Sequence, residues 1–218
     1  MDSGESATPS TRTEILREAS RLFNERGYHG TSIREIATAV GIRKQSVSHY
    51  FPAKQSILEE LLSETLTEPL RVVLMMRDCE GSPAARLWAY IRFDVAHLLR
   101  SPYVLQGLFG TYLLQDPALV PWFQGASDLY DAVATIVASG TAAGEFRDID
   151  PDFAAGAIGG LVEQTFSVWE PYGFTPDVPA AVADFCLHAL LRDPATLTQV
   201  REEAEPLTAT VAASCPAG

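Results

Sequence analysis

The chain has 218 residues, 47% hydrophobic and 20% charged, enough apolar side chain for one or two cored domains and too much for wholesale disorder. Its formal net charge is -12, but the charge is uneven: residues 11–58 hold eight Lys or Arg against four Asp or Glu, and residues 59–218 hold eight against twenty-two. A basic head on an acidic body confines any contact with a polyanion to the head, and excludes a protein that wraps nucleic acid over its whole surface.

In chain order, almost every segment reads as helix. Residues 12–26 set Ile15, Leu16, Ala19, Leu22 and Phe23 on one face, with Thr11 and Glu14 spaced as a capping box and Gly27 as a stop. Ser32 and Glu35 form a second capping box before Ile33, Ile36, Ala37 and Val40, and Gly41 ends that helix. A third short helix covers 43–50. Pro52 suits the first turn of a fourth, running from about 53 through the seventies with a kink expected near Pro69. Further helices fit 83–99, 102–114, 117–143, 151–169 and 177–191, separated by Ser-Pro, Asp-Pro and Gly. Residues 194–204 add a last turn or two, and 205–218 read as a disordered tail. No alternating strand pattern of useful length is present, so the expected fold is all-α.

The stretch "TSIREIATAVGIRKQSVSHYF", residues 31–51, concentrates Arg34, Arg43 and Lys44, with Lys54 just after. Ala37 is small, Gly41 follows four residues later, and Val47 six after that. Two helices that cross closely need a small residue at the crossing, a turn residue that accepts positive φ, and a β-branched anchor on the second helix. Ile36, Val40, Ile42 and Tyr50 fill the remaining apolar slots of a helix-turn-helix. At 100° per residue, Val47 fixes the inward face of the third helix, so Gln45 and His49 point outward with Lys44, Ser46 and Ser48 on the flanks. Such a helix fits the major groove, where Gln45 can pair with adenine N6 and N7 and Lys44 with guanine acceptors. The bland alternative is a solvated polar face. Lys54 and Arg43 stand in the first turns of their helices, where the dipole disfavours a cation, and a nearby phosphate would remove that penalty.

The segment "ILREASRLFNERGYHGTSIREIATAVGIRKQSVSHYFPAKQSILEEL", residues 15–61, resembles the N-terminal domain of the tetracycline-repressor (TetR) family in its Gly-Tyr-x-Gly-Thr-Ser run, its helix-turn-helix and its "HYFPAK". "GEFRDIDP" at 144–151 and "LLRDP" at 190–194 also look like connections of that family. The resemblance implies a dimeric one-component repressor, with a helix-turn-helix DNA-binding domain at 1–52 and a helical effector-binding and dimerisation domain at 53–204. By position, Lys44, Gln45, Ser46 and Ser48 would touch bases, and Ser32, Tyr50 and Lys54 phosphates; Arg34, Arg43 and His49 join the candidate DNA surface. The sequence departs from the family at Arg43, where Ser or Thr is common, and at Ser48, where an aromatic is common.

In the body, "FAAGAIGGLVEQTFSVW", residues 153–169, holds one charge, Glu163. A helix apolar nearly all round must be covered on most sides. Gly156, Gly160 and Phe166, with Val182, Phe185 and Ala189 of the next helix, are the candidate dimer surface; an internal hairpin of a monomer is the alternative. Among the aromatics of the middle helices, Trp88, Phe93, Tyr112 and Phe123, with the polar His97, Asp128 and Gln164, are candidates for an apolar effector pocket with a few polar anchors. Plain core is the alternative for each aromatic, and a surface pair is the alternative for His97 with Asp94.

Cys79, Cys186 and Cys215 are far apart and odd in number, and read as free thiols of a cytoplasmic protein. The four histidines, 29, 49, 97 and 188, lack ligand spacing, and there is no GxSxG, P-loop or GxGxxG, so neither metal, cofactor nor enzymatic activity is expected. The longest uncharged stretch, Ser101 to Gln115, is too short for a membrane span. The sequence therefore reads as a DNA-binding regulator with double-stranded DNA, an apolar or aromatic effector and a second copy of itself as partners. Its rivals are a helical-bundle enzyme with a dispersed site and a DNA-binding protein without an effector.

Overall fold

The computed structural model describes residues 10–103, 120–169 and 177–214, except the side chains of 120–123 and 166–169. Among the described residues the elements are helices: α1 (Thr11–Arg26), α2 (Ile33–Val40), α3 (Lys44–Tyr50), α4 (Lys54–Asp78), α5 (Pro83–Arg100), α6 (Val120–Ala142), α7 (Pro151–Trp169), α8 (Val178–Leu190) and α9 (Leu197–Ser214), with a 3-10 turn at Pro194–Thr196. The helix expected at 102–114 lies outside the described residues.

Two helix starts show how local chemistry sets the boundaries. α1 is capped by Ser10 instead of the expected Thr11: Ser10 is extended, and its hydroxyl accepts a hydrogen bond from the Thr13 backbone N–H at 3.2 Å. Thr11 is already helical, so its side chain cannot fold back over the first turn. At α2 the expected capping box forms. The Ser32 hydroxyl accepts from the Glu35 N–H, and the Glu35 carboxylate accepts from the Ser32 N–H at 2.8 Å.

The chain divides into two compact units. The first comprises residues 1–64 with 102–119 and the second 65–101 with 120–218. Residues 53–64, with the start of α4, lie in the first unit. The reason is apolar burial: Ile57, Leu58, Leu61 and Leu62 on the first turns of α4 are fully buried, like Ile15, Phe23, Ile36, Val47 and Phe51. Three short helices bury too little surface alone, and the start of α4 completes their core.

In the second unit α5 is the central helix and packs against α6, α7, α8 and α9. Its Leu87, Tyr90 and Ile91 are buried with Val133, Val137, Ile158, Ala183 and Leu187. The "GEFRDIDP" segment secures this unit. The Arg147 N–H donates to the Leu190 carbonyl and the Arg192 N–H to the Glu145 carbonyl, both at 2.9 Å, around a single bridge between Phe146 and Leu191. The Glu145 carboxylate accepts from the Ala84 N–H at 2.8 Å, satisfying a first-turn donor of α5.

The tail expected to be disordered from 205 continues as α9 to Ser214. Leu197, Val200, Ala204 and Val211 are buried, and Leu207 packs partly against the same core. Their spacing makes an apolar stripe that α5 covers, and this packing outweighs the helix-breaking tendency of Pro206. No described helix is long and apolar enough to cross a membrane.

Candidate functional site

The first unit builds a helix-turn-helix from α2 and α3. Gly41 sits at φ 76°, ψ 24°, the left-handed conformation that ends α2, and the Ile42 N–H returns to the Ala37 carbonyl at 2.9 Å. Ile36, Ala37 and Val47 are buried. With Val47 inward, Lys44, Gln45, Ser48 and His49 are exposed and Ser46 is half-buried, as the 100° rotation requires. The Ser48 hydroxyl donates back to the Lys44 carbonyl at 3.3 Å, and the His49 and Tyr50 rings meet edge-on with centroids 5.5 Å apart. Arg43 occupies the N-cap of α3 and its side chain makes no capping hydrogen bond. The side chains of Arg34, Arg43 and Lys44 are exposed, and none of the three enters an ion pair among the described residues.

Arg17 on α1 is also exposed and enters no ion pair among the described residues, while the remaining cations of this unit are engaged. Arg12 pairs with Glu60 and lies over the Phe51 ring, Arg21 pairs with Glu18 and Glu25, and Arg26 pairs with Glu35 at 3.0 Å. Lys54, expected on phosphates, turns inward. Its ammonium donates to the Tyr28 carbonyl at 2.6 Å and the Thr31 carbonyl at 2.8 Å, and stands 4.2 Å from the centre of the Tyr28 ring. Two carbonyls and a ring face satisfy the cation, so the helix-dipole penalty at the start of α4 is met from within the protein. Burial pushes the Lys54 ammonium below its ordinary value, against the pull of Glu35. Ser32 likewise has its hydroxyl in the capping box, leaving its exposed position at the start of α2 as its route to a phosphate.

Gln45 is the residue on this surface whose amide can read a base by two hydrogen bonds. Gln45→Ala should relax preference at one or two base pairs of a selected duplex by about 1–3 kcal/mol and leave binding to random DNA unchanged. Competition binding with single-substituted duplexes measures it; an unaltered preference would show that α3 is oriented differently on DNA.

In the second unit, the effector candidates separate. Trp88 is buried, and its indole N–H donates to Asp184 Oδ1 at 2.9 Å while Arg201 pairs with the same carboxylate. Trp88 therefore ties α5 to α8 and is core. Asp128 is exposed and accepts from the Gln124 amide at 2.9 Å, a surface pair within α6, and Gln164 is also exposed. Phe93 and His97 are half-buried and stack with ring centroids 5.8 Å apart. Tyr112 and the side chain of Phe123 lie outside the described residues.

A polar cluster that the sequence reading did not assemble lies among α5, α6 and α7. The Tyr90 hydroxyl donates to Asp94 Oδ2 at 3.1 Å. Tyr130 hydrogen-bonds Glu163, and its ring rests on Gly159, where an added Cβ would stand 2.6 Å from the phenol oxygen. Burial raises Asp94 to about 7; the Tyr90 hydrogen bond opposes the shift and the Glu163 charge adds to it. Burial also raises Glu163 and takes Tyr130 to about 12. The signals available in the sequence were Tyr90 and Asp94 at i, i+4, and the single charge of the 153–169 segment.

Of the dimer candidates, Gly156, Gly160, Phe185 and Ala189 are exposed, and Phe185 and Phe153 are each 67% exposed. Val182 is not on that surface. It shares the inward face of α8 with Val178, Ala183, Cys186, Leu187 and Leu190, and is buried within its own unit. The side chain of Phe166 lies outside the described residues.

An all-helical chain whose head presents an exposed recognition helix and free cations belongs to the helix-turn-helix transcriptional regulators. Residues 15–61 match the model of the bacterial regulatory proteins of the tetR family. The head of the chain is thus similar to the DNA-binding domain of that family. It is 25% identical to the HTH-type transcriptional regulator RutR of Escherichia coli (strain K12) over 91% of this chain and 89% of RutR. It is 42% identical to the probable HTH-type transcriptional regulator YttP of Bacillus subtilis (strain 168) over 55 residues, which are 25% of this chain and 27% of YttP. The crystal structure of Mycobacterium smegmatis AmtR superposes with a TM-score of 0.77 at 26% identity, covering 96% of each chain.

Proposed function

We propose that this DNA-binding regulator is a repressor that holds a two-fold operator as a homodimer and releases it when a small molecule occupies the second unit. The observation that carries the reading is the outward face of α3, where Lys44, Gln45, Ser48 and His49 are exposed; Arg34 and Arg43 are exposed and unpaired as well. Two-fold symmetry would present this face twice, at half-sites one helical turn apart. The exposed Phe153 and Phe185, with Gly156 and Gly160 open to solvent, support α7 and α8 as the surface between two copies. The buried Tyr90 and half-buried Asp94, with the half-buried Tyr130 and the exposed Glu163 near them, support an effector that is largely apolar and carries a hydrogen-bond donor.

The test is operator selection from a random duplex pool followed by a salt titration. With Arg34, Arg43 and Lys44 of each of two protomers on phosphates, log affinity should fall against log salt with a slope of about -5. Failure to select any duplex, or an affinity indifferent to salt, would sink the reading.

A further inference from the structure

We propose that Lys54 is a positioning residue for operator recognition: it clamps the connection between α1 and α2 from the first turn of α4, and is not a phosphate ligand. The inference rests on the DNA-binding reading above. The connection runs from Gly27 to Ser32 and sets where α2 begins. From the side of α1 it is held by Thr31, whose buried hydroxyl lies 3.2 Å from the Leu22 carbonyl and 3.0 Å from the Gly27 carbonyl. From the side of α4 Lys54 holds it, through the Tyr28 and Thr31 carbonyls. These two carbonyls bracket the approach to Ser32, and Glu35 of the Ser32 capping box is itself fixed by Arg26. An ammonium that faces two carbonyls at 2.6 and 2.8 Å and a ring at 4.2 Å would have to break all three contacts to reach a phosphate. Removing it takes the ammonium donor from both carbonyls, leaving the Tyr28 carbonyl only the long 3.3 Å bond from the Thr31 N–H, and frees α2 to shift against α4. Because α2 carries Arg34 and packs through Ala37 on α3, the recognition surface moves with it.

The chain contains two lysines, Lys44 and Lys54, so lysine-selective labelling resolves them. In the free protein, the Hε protons of one lysine should lie upfield under the Tyr28 ring, and its ammonium should titrate below the other's. Lys44→Arg assigns the pair. On adding the selected operator, the Lys44 signals should move and the Lys54 signals should stay upfield. In binding measurements, Lys54→Met should weaken the operator at least tenfold and lower the ratio of operator to random-duplex affinity, with the salt slope unchanged. Loss of folded molecules alone would weaken both duplexes equally and leave that ratio intact, which overturns positioning. A slope flattened by about 2, one contact per protomer, would place Lys54 on phosphate and overturn the proposal, as would unchanged affinity. Should Lys54→Met fail to fold, Tyr28→Leu removes the ring and keeps every charge; it should weaken the operator several-fold with the same slope, and an unchanged affinity there overturns the clamp. The upfield lysine of the free protein does not depend on DNA, so its absence refutes the clamp alone, whereas a protein that selects no operator refutes the regulator reading.

Discussion

Phe185→Asp should yield a folded monomer that no longer holds its operator. Phe185 is 67% exposed on α8, so its ring contributes little to the core of its own protomer, and an aspartate there is solvated in a single chain. Between two copies the same aspartate would be buried without a partner, and two-fold symmetry would bury it twice, at several kcal/mol each. Gly160→Arg tests the neighbouring helix by the same logic, since a Cβ at Gly160 meets nothing within 4 Å in the protomer. Operator affinity should fall by two orders of magnitude or more, because a monomer engages one half-site and forfeits the linkage between two. Sedimentation velocity reads the assembly, a thermal melt reads the fold, and anisotropy with labelled operator reads binding. A wild-type protein that sediments as a monomer at micromolar concentration would refute the dimer. A Phe185→Asp protein that remains dimeric would refute only the placement of this residue.

The cations of the first unit divide by their partners. Arg12, Arg21, Arg26 and Lys54 hold helices and connections together, and Arg17 on α1, Arg34 on α2 and Arg43 and Lys44 at the start of α3 are exposed and in no ion pair among the described residues. A count of basic residues overstates the charge available to DNA, and Arg34, Arg43 and Lys44 of the free set predict the salt slope. Engaged pairs at this surface add little stability individually, so their role is geometric: they fix the helices that present the free set.

The helix-turn-helix was legible because its determinants are local. Gly41 must accept positive φ, Val47 must face inward, and three residues of spacing place Glu35 under Ser32; each follows from sequence distance along one helix. The contacts of Lys54 were not legible because its partners are the carbonyls of Tyr28 and Thr31, and a carbonyl leaves no mark in the sequence. Val182 was assigned to the wrong face because α8 is apolar nearly all round, so periodicity could not separate the inward Val182 from the outward Phe185. The same ambiguity made Trp88 look like a pocket residue, whereas its partner Asp184 is 96 positions away. α9 was missed for the opposite reason: Leu197, Val200, Ala204, Leu207 and Val211 form a readable stripe, but Pro206 interrupts it and argues for a break.

Fold stability should fall as pH rises from about 5 to 8, and Asp94→Asn should abolish most of that dependence. Asp94 is lifted from an ordinary carboxylate value to about 7, first by burial and then by the charge of Glu163, with the Tyr90 hydroxyl pulling the other way. Among the described residues, Tyr90 on its own helix, Tyr130 on α6 and Glu163 on α7 act on it, and His97 lies three residues further along α5. Between pH 4 and 7 the native state therefore keeps a proton that the unfolded chain has released. Stability is greatest below the unfolded value and declines through the folded one, because the native state must then hold a buried carboxylate or lose a proton at a cost. The loss across the window is on the order of 2–4 kcal/mol, which lowers the melting temperature by several degrees in a chain of this length. Glu163 is raised in the same direction, so Glu163→Gln should remove a smaller part of the slope and also draw Asp94 back toward its ordinary value. Melting temperatures at half-unit pH intervals for the three proteins decide the matter. A wild-type profile that is flat from pH 5 to 8, or an Asp94→Asn profile as steep as the wild type, would show that Asp94 is solvated. The same titration bears on the effector: below pH 7 the protonated Asp94 offers a donor, and above it an acceptor, so an effector that donates to Asp94 should bind more tightly as pH rises through 7.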